Sequence, residues 1–367
     1  MFTPLDQTYM RRALELAERG LYTTTPNPHV GAVVVKDSRI MGEGWHQVAG
    51  EPHAEVLALR DARQKNGPDA VRGAALYVTL EPCSHQGRTP PCADLLVDEG
   101  LARVVAAMED PNPKVAGQGF ARLRGAGVDV RVGLLESEAR ELNIGFVSRM
   151  TRGLPWVRLK VAASLDGKTA LANGKSQWIT GPEARKDGHA YRARSCAILT
   201  GIGTVREDNP QLNVREVVTS RQPLKVIVDS RLQIARDAKI LDEGQVLMVC
   251  ATDDESLRKP LVDKGFEVMT LPDASGKVDL AALMRELGRR NLNEIHVESG
   301  FKLNGSLLRA GCVDELLIYF AASIIGDTGQ GMFNLPELTD LEERLKVRIH
   351  RVSQLGGADL RLIARLD

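Results

Sequence analysis

One histidine, one glutamate and two cysteines stand in an order that suits zinc chemistry. His53 and Glu55 are separated by a single residue, and Cys83 and Cys92 follow later in the chain. Zn²⁺ binds nitrogen and sulfur ligands tetrahedrally, and a catalytic site keeps one position for water. Because the metal lowers the pKa of that water to about 7, a nearby carboxylate can carry its protons. We therefore predict that His53, Cys83 and Cys92 bind zinc and that Glu55 is the catalytic proton carrier.

The order His-x-Glu, then Pro-Cys and a second Cys, is the signature of zinc deaminases, in which the Glu is not a ligand. The spacing departs from that signature, since the short motif has about two residues between the cysteines. Here eight residues, 84–91, separate them. One alternative is a structural zinc site closed by a fourth protein ligand, which His85 could supply. Another is a pair of buried thiols beside a surface histidine.

Three segments together resemble the family of bifunctional riboflavin-biosynthesis deaminase/reductases. They are residues 25–31 (TPNPHVG), 81–92 (EPCSHQGRTPPC) and 160–167 (KVAASLDG). The resemblance runs from near Met10 to the last strands. It implies an α/β chain with an N-terminal cytidine-deaminase-like three-layer domain and a C-terminal dihydrofolate-reductase-like domain. It also implies a zinc-dependent pyrimidine deaminase and an NADPH-dependent reductase on the same polypeptide.

Composition narrows the class of protein further. The 367 residues include 48 basic and 48 acidic side chains, so the formal net charge is zero. We do not expect nucleic-acid binding, which rests on a basic surface. No apolar run approaches the length of a membrane span, and the N-terminus lacks the pattern of a signal peptide. Five cysteines are too few and too scattered for a disulfide framework. We expect a cytoplasmic enzyme that acts on a small molecule.

A chain of this length favours two domains. In the first half, strands alternate with helices, one of which begins at His53 and another at the cysteines, and a later helix spans about 138–146. This alternation predicts a layered α/β fold with a largely parallel sheet. The polar, Gly-Pro-punctuated segment 148–155 predicts a linker between a deaminase domain over 1–147 and a reductase domain over 156–367. The tail predicts a hairpin around 356–357.

Three further polar residues of the first domain are candidates for substrate binding, and a fourth, His85, lies in the same loop as one of them. Asn27 stands between prolines and offers an amide that can read a pyrimidine edge, although Asn is also common in plain turns. His46 is expected either to meet a phosphate or to lie on the surface. Arg88 and His85 lie in the long inter-cysteine loop, where Arg88 is the candidate for capturing a sugar phosphate.

Two glycine turns of the second domain are candidates for cofactor binding. No intact Gly-x-Gly-x-x-Gly follows a strand, so a standard Rossmann site is disfavoured. The turns at 201–204 and 300–306 each follow a predicted strand, and small residues there let backbone amides approach a phosphate. The second turn also leads into a helix, as pyrophosphate sites often do. Either turn alone is more often structural, but together with the family resemblance they favour a dinucleotide.

The resemblance implies specific contacts in this domain. NADPH contacts are implied at Ala162, Trp178, Thr204, Asp208, Ser230, Gly300, Phe301, Lys302, Leu303, Asn304, Gly305 and Ser306. Substrate contacts are implied at Ser176, Arg192, Leu212, Arg215 and Glu298, and Lys160 is expected to guide the ring-opened ribose. Arg192 and Arg215 can grip a phosphate with two hydrogen bonds each, and Glu298 can accept from pyrimidine amines. Surface salt bridges are the alternative for the arginines.

The implied reactions are consecutive steps of riboflavin biosynthesis. Hydrolysis would remove an exocyclic amine from a diaminopyrimidinone ribosyl phosphate, and NADPH would then reduce the ribosyl group to ribityl. The alternative is a nucleic-acid base deaminase with an appended binding domain, against which the balanced charge and the long inter-cysteine loop count. The strongly apolar segment 315–320 leads us to expect a homodimer that forms through the reductase domain.

Overall fold

The structure is a computed structural model that describes residues 2–84 and 91–366. The chain divides into two compact units, Met1–Gly153 and Leu154–Asp367. In each unit, helices cover both faces of a central sheet, which is the layered α/β arrangement predicted from the alternation of strands and helices.

The first unit carries a five-stranded sheet in the order β2-β1-β3-β4-β5. Its elements are α1 (Pro4–Glu18), β1 (Gly31–Lys36), β2 (Arg39–Trp45), α2 (Ala54–Asn66), β3 (Ala75–Val78), α3 (Cys92–Asp98), β4 (Arg103–Ala106), α4 (Gln118–Gly125), β5 (Asp129–Val132), α5 (Glu136–Leu142) and α6 (Ile144–Arg152). β3, β4 and β5 are parallel to one another. β1 runs antiparallel to both β2 and β3, so the sheet is less parallel than predicted.

Strand β1, between β2 and β3, separates two apolar cores. Successive side chains of a strand point to opposite faces, so Val33 and Val35 pack with α1 while Ala32 and Val34 pack with α2. The core beneath α1 also takes in α5, and the opposite core takes in α3 and α4. Full burial of each large apolar side chain stabilises the fold by about 1.5–3 kcal/mol. The three predicted layers are confirmed.

Helix α2 lies very close to the neighbouring strand β2, and two glycines permit this approach. A Cβ on Gly42 would lie 2.3 Å from the nitrogen of Ala62, and one on Gly44 would lie 2.4 Å from that of Ala58. The two alanines are four residues apart and therefore share one helix face. This packing fixes the first turn of α2, which bears Glu55, against the β1–β2 hairpin.

The second unit carries a nine-stranded sheet in the order β11-β10-β9-β8-β12-β6-β13-β16-β15. Its elements are β6 (Trp156–Ser164), β7 (Lys168–Ala170), α7 (Pro182–Arg194), β8 (Ala197–Gly201), α8 (Ile202–Asp208), β9 (Leu224–Val228), β10 (Val246–Cys250), α9 (Glu255–Val262), β11 (Glu267–Thr270), α10 (Leu280–Arg289), β12 (Glu294–Glu298), α11 (Phe301–Arg309), β13 (Glu315–Ala321), β14 (Gln330–Gly331), β15 (Val347–Leu355) and β16 (Asp359–Leu366).

Seven strands of this sheet, from β11 to β13, are parallel to their neighbours, and β16 and β15 extend it as an antiparallel hairpin. The turn of that hairpin contains Gly356 and Gly357, both at positive φ, as the sequence predicted. Helices α10 and α11 cover one face of the sheet, and α7, α8 and α9 cover the other. Burial of both faces explains the near-continuous apolar runs of the parallel strands.

Two local expectations differ from the structure. The helix expected over 138–146 is two helices, α5 and α6, which meet at Asn143. The segment expected as a linker from 148 is helical as far as Arg152, because α6 continues through it. The apolar strand β13 lies inside the sheet, between β6 and β16. None of the helices in the described part of the chain combines the length and apolarity needed to cross a bilayer.

Candidate active sites

The predicted zinc ligands converge near the first turns of α2 and α3. Nδ1 of His53 lies 3.3 Å from Sγ of Cys92 and 3.7 Å from Sγ of Cys83. All three donor atoms lie within 4.8 Å of one another. Since Zn–N and Zn–S bonds are about 2.0–2.3 Å long, one ion can reach all three. Within residues 2–84 and 91–366, no fourth His, Cys, Asp or Glu joins this group.

Local backbone structure places each of these donors. His53 is the N-cap of α2 and its ring makes no capping bond, so it is free to turn towards the thiols. Only Cys92 begins a helix; Cys83 lies in the irregular segment after β3, which corrects the expectation that both cysteines start the helix. The segment bends back because the N–H of Cys92 donates to Sγ of Cys83 at 3.3 Å. The N–H of Ala93 donates to the Cys83 carbonyl at 3.0 Å.

The charges of the donor set fit a bound cation. A hydrogen bond from Cys92, supported by His53, lowers the pKa of Cys83 to about 4. The pKa of Cys92 is raised by the same hydrogen bond and by burial, so ionisation of one thiol disfavours ionisation of the other. A cation that both sulfurs bind removes this conflict, because a coordinating thiol is deprotonated. One imidazole and two thiolates with a position left for water are the donors of a catalytic zinc site.

Glu55 lies beside the donors without being one of them. The residue is 4% exposed and stands in the first turn of α2. Burial raises the pKa of its carboxyl, against the opposing effect of His53. A carboxyl group whose pKa is moved towards neutrality can accept and release protons at the working pH. Its placement and chemistry therefore suit the predicted proton carrier.

Sequence reasoning missed Glu81, whose carboxylate is 3% exposed. Oε2 accepts from the N–H groups of Asp110 at 3.2 Å and Gly117 at 2.9 Å. Oε1 accepts from those of Gly119 at 2.8 Å and Phe120 at 3.3 Å. Most of these donors belong to the N-terminus of α4, where negative charge is favoured. The carboxylate immediately before Pro-Cys, two residues ahead of the first cysteine ligand, was the sequence signal for this role.

Helix α4 contacts the zinc-binding segment at further points. A Cβ on Gly119 would lie 2.0 Å from the carbonyl oxygen of Pro82, so only glycine allows the helix to come this close. Nη1 of Arg122 donates to the carbonyl of Ser84 at 3.3 Å, and the same guanidinium pairs with Asp94 of α3. Helices α3 and α4 thus hold the backbone around the first cysteine from both sides.

Asn27 and His46 lie together next to the zinc ligands. Nδ2 of Asn27 is 3.1 Å from Nε2 of His46, and Nδ1 of His46 is 3.3 Å from the carbonyl of Pro52. The His46 ring packs edge-on against His53 at 5.5 Å and is 3% exposed, which excludes the surface alternative. Burial lowers the pKa of His46, so the ring is neutral. It therefore donates from Nδ1 and accepts from Asn27 at Nε2, which leaves Oδ1 of Asn27 as the amide's acceptor.

The predicted substrate residue Arg88 and the alternative ligand His85 lie outside the described residues. The described residues show only how the loop begins and ends. It leaves from Ser84, whose carbonyl is held by α4, and returns at Pro91, the N-cap of α3.

The candidate reductase residues gather where parallel strands end. Strand β12 lies between β8 and β6. Glu298, the last residue of β12, is in register with Lys160 of β6, and Gly201 closes β8. Ligands of open α/β sheets bind outside the carboxyl ends of the strands. The strand ends that bear predicted cofactor and substrate residues therefore share one edge of the sheet.

Glu298 is the centre of an ion-paired cluster. Both of its oxygens pair with the guanidinium of Arg192, with Nη2 to Oε2 at 2.9 Å, and Nζ of Lys160 lies 3.7 Å from Oε2. Burial alone would raise the pKa of Glu298, but Arg192 and Lys160 hold it well below its usual range. Nη1 of Arg192 donates to the carbonyl of Asn213 at 3.0 Å. The Arg192 guanidinium is therefore not available to bind a phosphate as expected, because its N–H groups already donate to the carboxylate of Glu298.

Arg215 is the exposed arginine of this region, and His189 sets its position. Nη1 of Arg215 donates to Oδ1 of Asn213 at 2.5 Å and to Oε1 of Gln211 at 3.2 Å. Its backbone N–H donates to Nδ1 of His189 at 3.2 Å. Burial, followed by the charges of Arg192 and Arg215, lowers the pKa of His189 to about 4, so this acceptor is neutral. Nothing in the sequence pattern distinguished His189 beforehand.

The glycine turn at the start of α11 is joined to α8. The N–H of Gly300 donates to Oγ1 of Thr204 at 2.9 Å. Asn304 and Gly305 are buried, whereas Lys302 is exposed, so only part of the predicted cofactor segment faces solvent. The remaining members are half-buried: Phe301, Leu303 and Ser306. The first N–H groups of a helix lack intrahelical acceptors, and those of α11 therefore fit a pyrophosphate group.

The loop after β7 is tied to the end of α8. Trp178 is 70% exposed, and the guanidinium of Arg185 lies 4.8 Å from its ring centroid. Burial raises the pKa of Asp208, against a hydrogen bond from Gln177. Asp208 therefore approaches the same short loop that carries Ser176 and Trp178. An exposed aromatic side chain such as Trp178 suits stacking with a flat ring of a dinucleotide.

Three further predicted contacts lie around this edge. Ala162 is half-buried on β6, two residues after Lys160 and so on the same face of the strand. Oγ of Ser230, just after β9, accepts from the N–H of Val278 at 3.2 Å. The side chain of Leu212 is 5% exposed and packs in the apolar core with α8. Leu212 can therefore reach a ligand with its backbone but not with its side chain.

Comparison with known proteins gives consistent matches over both units. The family model for the cytidine and deoxycytidylate deaminase zinc-binding region matches residues 3–108, and that for the RibD C-terminal domain matches residues 155–358. The riboflavin biosynthesis protein RibD of Escherichia coli K12 is 46% identical over 363 residues, covering 96% of this chain and 97% of that protein. This chain belongs to the RibD family.

Two solved structures of RibD proteins resemble the whole chain. The Acinetobacter baumannii RibD, form 1, is 42% identical with a TM-score of 0.90, and 99% of each chain is covered. The Thermotoga maritima structure is 35% identical with a TM-score of 0.88, also over 99% of each chain. That protein is a diaminohydroxyphosphoribosylaminopyrimidine deaminase and 5-amino-6-(5-phosphoribosylamino)uracil reductase.

RibD membership confirms several expectations. The chain carries the deaminase and reductase domains of riboflavin biosynthesis, so the family, the α/β class of both domains and the bifunctional character are confirmed. Zinc and NADPH are the cofactors of these two RibD domains, as predicted. The roles of individual residues stay predictions.

Proposed function

We propose that this RibD chain removes an exocyclic amine from a diaminopyrimidinone carrying a ribosylamino phosphate, and then reduces the ribosyl group to ribityl. The Thermotoga maritima relative carries out the corresponding deaminase and reductase reactions, and its similarity spans the whole chain. The observation that carries the proposal is the triad of His53, Cys83 and Cys92, with donors within 4.8 Å, beside the buried carboxyl of Glu55.

In the deaminase unit, His53, Cys83 and Cys92 hold zinc, which when bound supplies a water that is acidic enough to attack at neutral pH. Glu55 would carry both protons of the hydrolysis. It would take one proton from the attacking water and give it to the ring nitrogen, then take the remaining hydroxyl proton and give it to the amine, which leaves as ammonia. Burial keeps the carboxyl's pKa raised, so both protonation states are accessible within a turnover. Asn27, oriented by His46, offers Oδ1 to an amine on the pyrimidine edge.

In the reductase unit, NADPH bound at the start of α11 supplies the hydride. Glu298, kept ionised by Arg192 and Lys160, accepts hydrogen bonds from pyrimidine amines. Arg215 binds the substrate phosphate, since its guanidinium is exposed and is held by neutral side-chain oxygens. Lys160, on the strand next to Glu298, guides the ring-opened ribose.

Mass analysis of the products tests both reactions. The purified chain is incubated with the diaminopyrimidinone substrate, first alone and then with NADPH. Without NADPH, we expect an amine to be replaced by oxygen and ammonia to be released. With NADPH, we expect the further addition of two hydrogens. An unaltered substrate in the zinc-loaded chain, or reduction before deamination, would contradict the proposal.

We also propose that the chain forms a homodimer through the edge strand β15. Val347, Ile349 and Val352 of this strand are 45%, 62% and 55% exposed. An exposed apolar edge strand is a template for pairing with another chain, and pairing with a second copy closes about a two-fold axis. Sedimentation of a variant with lysines at 349 and 352 should show a monomer where the native chain is a dimer. A monomeric native chain at micromolar concentration would exclude this interface.

We further propose that the enzyme works in the cytoplasm on small molecules and not on nucleic acid. None of the five cysteines, all of which lie in the described residues, forms a disulfide, which suits a reducing compartment. Equal numbers of basic and acidic residues give no basic surface excess for a phosphate backbone. Binding of a single-stranded RNA at low salt, or deamination of its bases, would contradict this part of the proposal.

A further inference from the structure

Asn143, at the junction of α5 and α6, holds a segment more than one hundred residues away. Its side chain is 2% exposed. Oδ1 accepts the backbone N–H of His29 at 2.7 Å, and Nδ2 donates to the backbone carbonyl of His29 at 2.9 Å. The amide thus pairs with both polar groups of one residue, as a neighbouring strand would. A buried backbone group left without such a partner destabilises the fold.

The paired residue closes the loop that presents Asn27. Nδ1 of His29 lies 2.7 Å from Oγ1 of Thr24, and the N–H of Asn27 donates to the carbonyl of Thr24 at 2.9 Å. Pro28, whose φ is restricted, lies between Asn27 and His29. The backbone on both sides of Asn27 is therefore fixed through Thr24 and His29, and His29 is fixed in turn by Asn143.

Helix α6 makes a second contact with the same loop. Nη2 of Arg149 donates to the carbonyl of Pro26 at 3.4 Å. Arg149 lies in the segment that composition alone suggested as a linker, yet here it belongs to a regular helix. Asn143 and Arg149 thus bind the backbone of the loop on either side of Asn27, at His29 and at Pro26.

We propose that Asn143 is a positioning residue for deaminase substrate binding, assisted by Arg149. Both residues act by fixing the loop 24–29 so that the Asn27 amide meets His46 and presents Oδ1 to the pyrimidine. The inference rests on the proposed function, since it gives a task to the Asn27 amide. It implies that α6 determines deaminase affinity and is not merely a connection to the reductase half.

The test compares Asn143→Ala with the matched control Asn66→Ala. Asn66 also bonds backbone carbonyls of the first unit, those of Met41 and Ala62, but far along α2 from its first turn. Asn143→Ala should raise the deaminase KM roughly tenfold, the scale of one lost hydrogen-bonded contact, with kcat little changed. Uniform binding affects KM in this way. Zinc content and reductase activity on the same chain should stay at native values, and Asn66→Ala should leave KM unchanged.

A double-mutant cycle separates positioning from general damage. If Asn143 acts through Asn27, Asn143→Ala should add little to the KM of an Asn27→Ala chain, because the effects of coupled residues are not additive. Fully additive effects, or a native KM in Asn143→Ala, would overturn the inference. If Asn143→Ala does not fold, Arg149→Ala carries the test, with an expected rise in KM of about twofold. A native chain that releases no ammonia would instead overturn the proposed function.

Discussion

The two candidate active sites are assembled in contrasting ways. In the deaminase site, the predicted metal donors and proton carrier lie at the starts of α2 and α3 and in the segment before α3. Helix α4 packs closely against that segment. The reductase site draws Lys160 and Glu298 from strands that are adjacent in the sheet but far apart in sequence. Its groups are held by ion pairs instead of by a shared metal.

This difference determines how each site should respond to substitution. In the deaminase site, Glu55 forms no ion pair within residues 2–84 and 91–366, so its loss should remove chemistry and leave the predicted zinc donors in place. In the reductase site, the charge of Glu298 depends on Arg192 and Lys160, so changing one group alters the others. The first site should therefore show local and large effects, and the second should show smaller effects that are shared among neighbours.

The largest effect is expected for Glu55→Gln. Loss of the proton carrier should slow ammonia release by about 10²–10⁴-fold, the usual contribution of general acid–base catalysis. Zinc content, measured by elemental mass spectrometry, should stay at the native value because Gln keeps the shape of the side chain. The exposed neighbour Glu51 provides a control, since Glu51→Gln should release ammonia at the native rate. Near-native ammonia release by Glu55→Gln would contradict the prediction that substitutions have larger effects in the deaminase site than in the reductase site.

A smaller effect is expected for Glu81→Gln. The four N–H groups that now face a carboxylate would meet one oxygen and one amide nitrogen, and the zinc-binding segment would loosen. Changes to groups that support metal ligands typically cost about 10–100-fold in affinity. Competition with a chelator should show this loss, while the exposed Glu109→Gln should retain native affinity. Unchanged zinc affinity would mean that α4 does not support the metal site.

In the reductase site, Arg215→Ala should raise the KM for the phosphorylated substrate roughly tenfold, since one charge-assisted contact is lost. The kcat should change less, because a phosphate contact binds ground state and transition state alike. Arg289→Ala removes an arginine that is 75% exposed and serves as the control. An unchanged KM would remove Arg215 from the phosphate site.

The smallest effect concerns stability against acid. The pKa of His189 is lowered from 6.5 to about 4, so the unfolded chain binds the extra proton first. Stability from this group is complete above pH 6.5 and falls as the pH drops towards 4, because protons favour the unfolded state in that window. His189→Gln should therefore show a shallower loss of unfolding free energy across this window in denaturant titrations. An identical pH slope would contradict the buried, neutral assignment.

The convergence of His53, Cys83 and Cys92 could be predicted from the sequence, because these donors lie in short motifs whose residue types have few other uses. The same does not hold for the supports of this site. Glu81 and Asn143 bond to backbone groups of distant residues, and such pairings depend on how the layers come together. The glycines of β2 that admit α2 gave no periodic signal for the same reason.

The reductase site could be predicted only through resemblance to a family. Arg192 was expected to bind a phosphate because its fork has the right shape, but in the fold it faces Glu298, which competes for the same donors. Leu212 was expected near the substrate, yet its side chain is part of the apolar core. The apolar segment 315–320 led us to expect a dimer through the reductase domain, but its apolar residues are as well explained by the burial of β13 between two neighbouring strands.

The most direct test of two separate sites is NADPH oxidation by the Glu55→Gln chain. The variant is supplied either with the diaminopyrimidinone or with the product of its deamination. We predict a native rate of oxidation with the deaminated compound and essentially none with the diamino compound, because the reductase half is intact and the first step is blocked. Native-rate oxidation with the diamino compound, or none with either, would contradict the account.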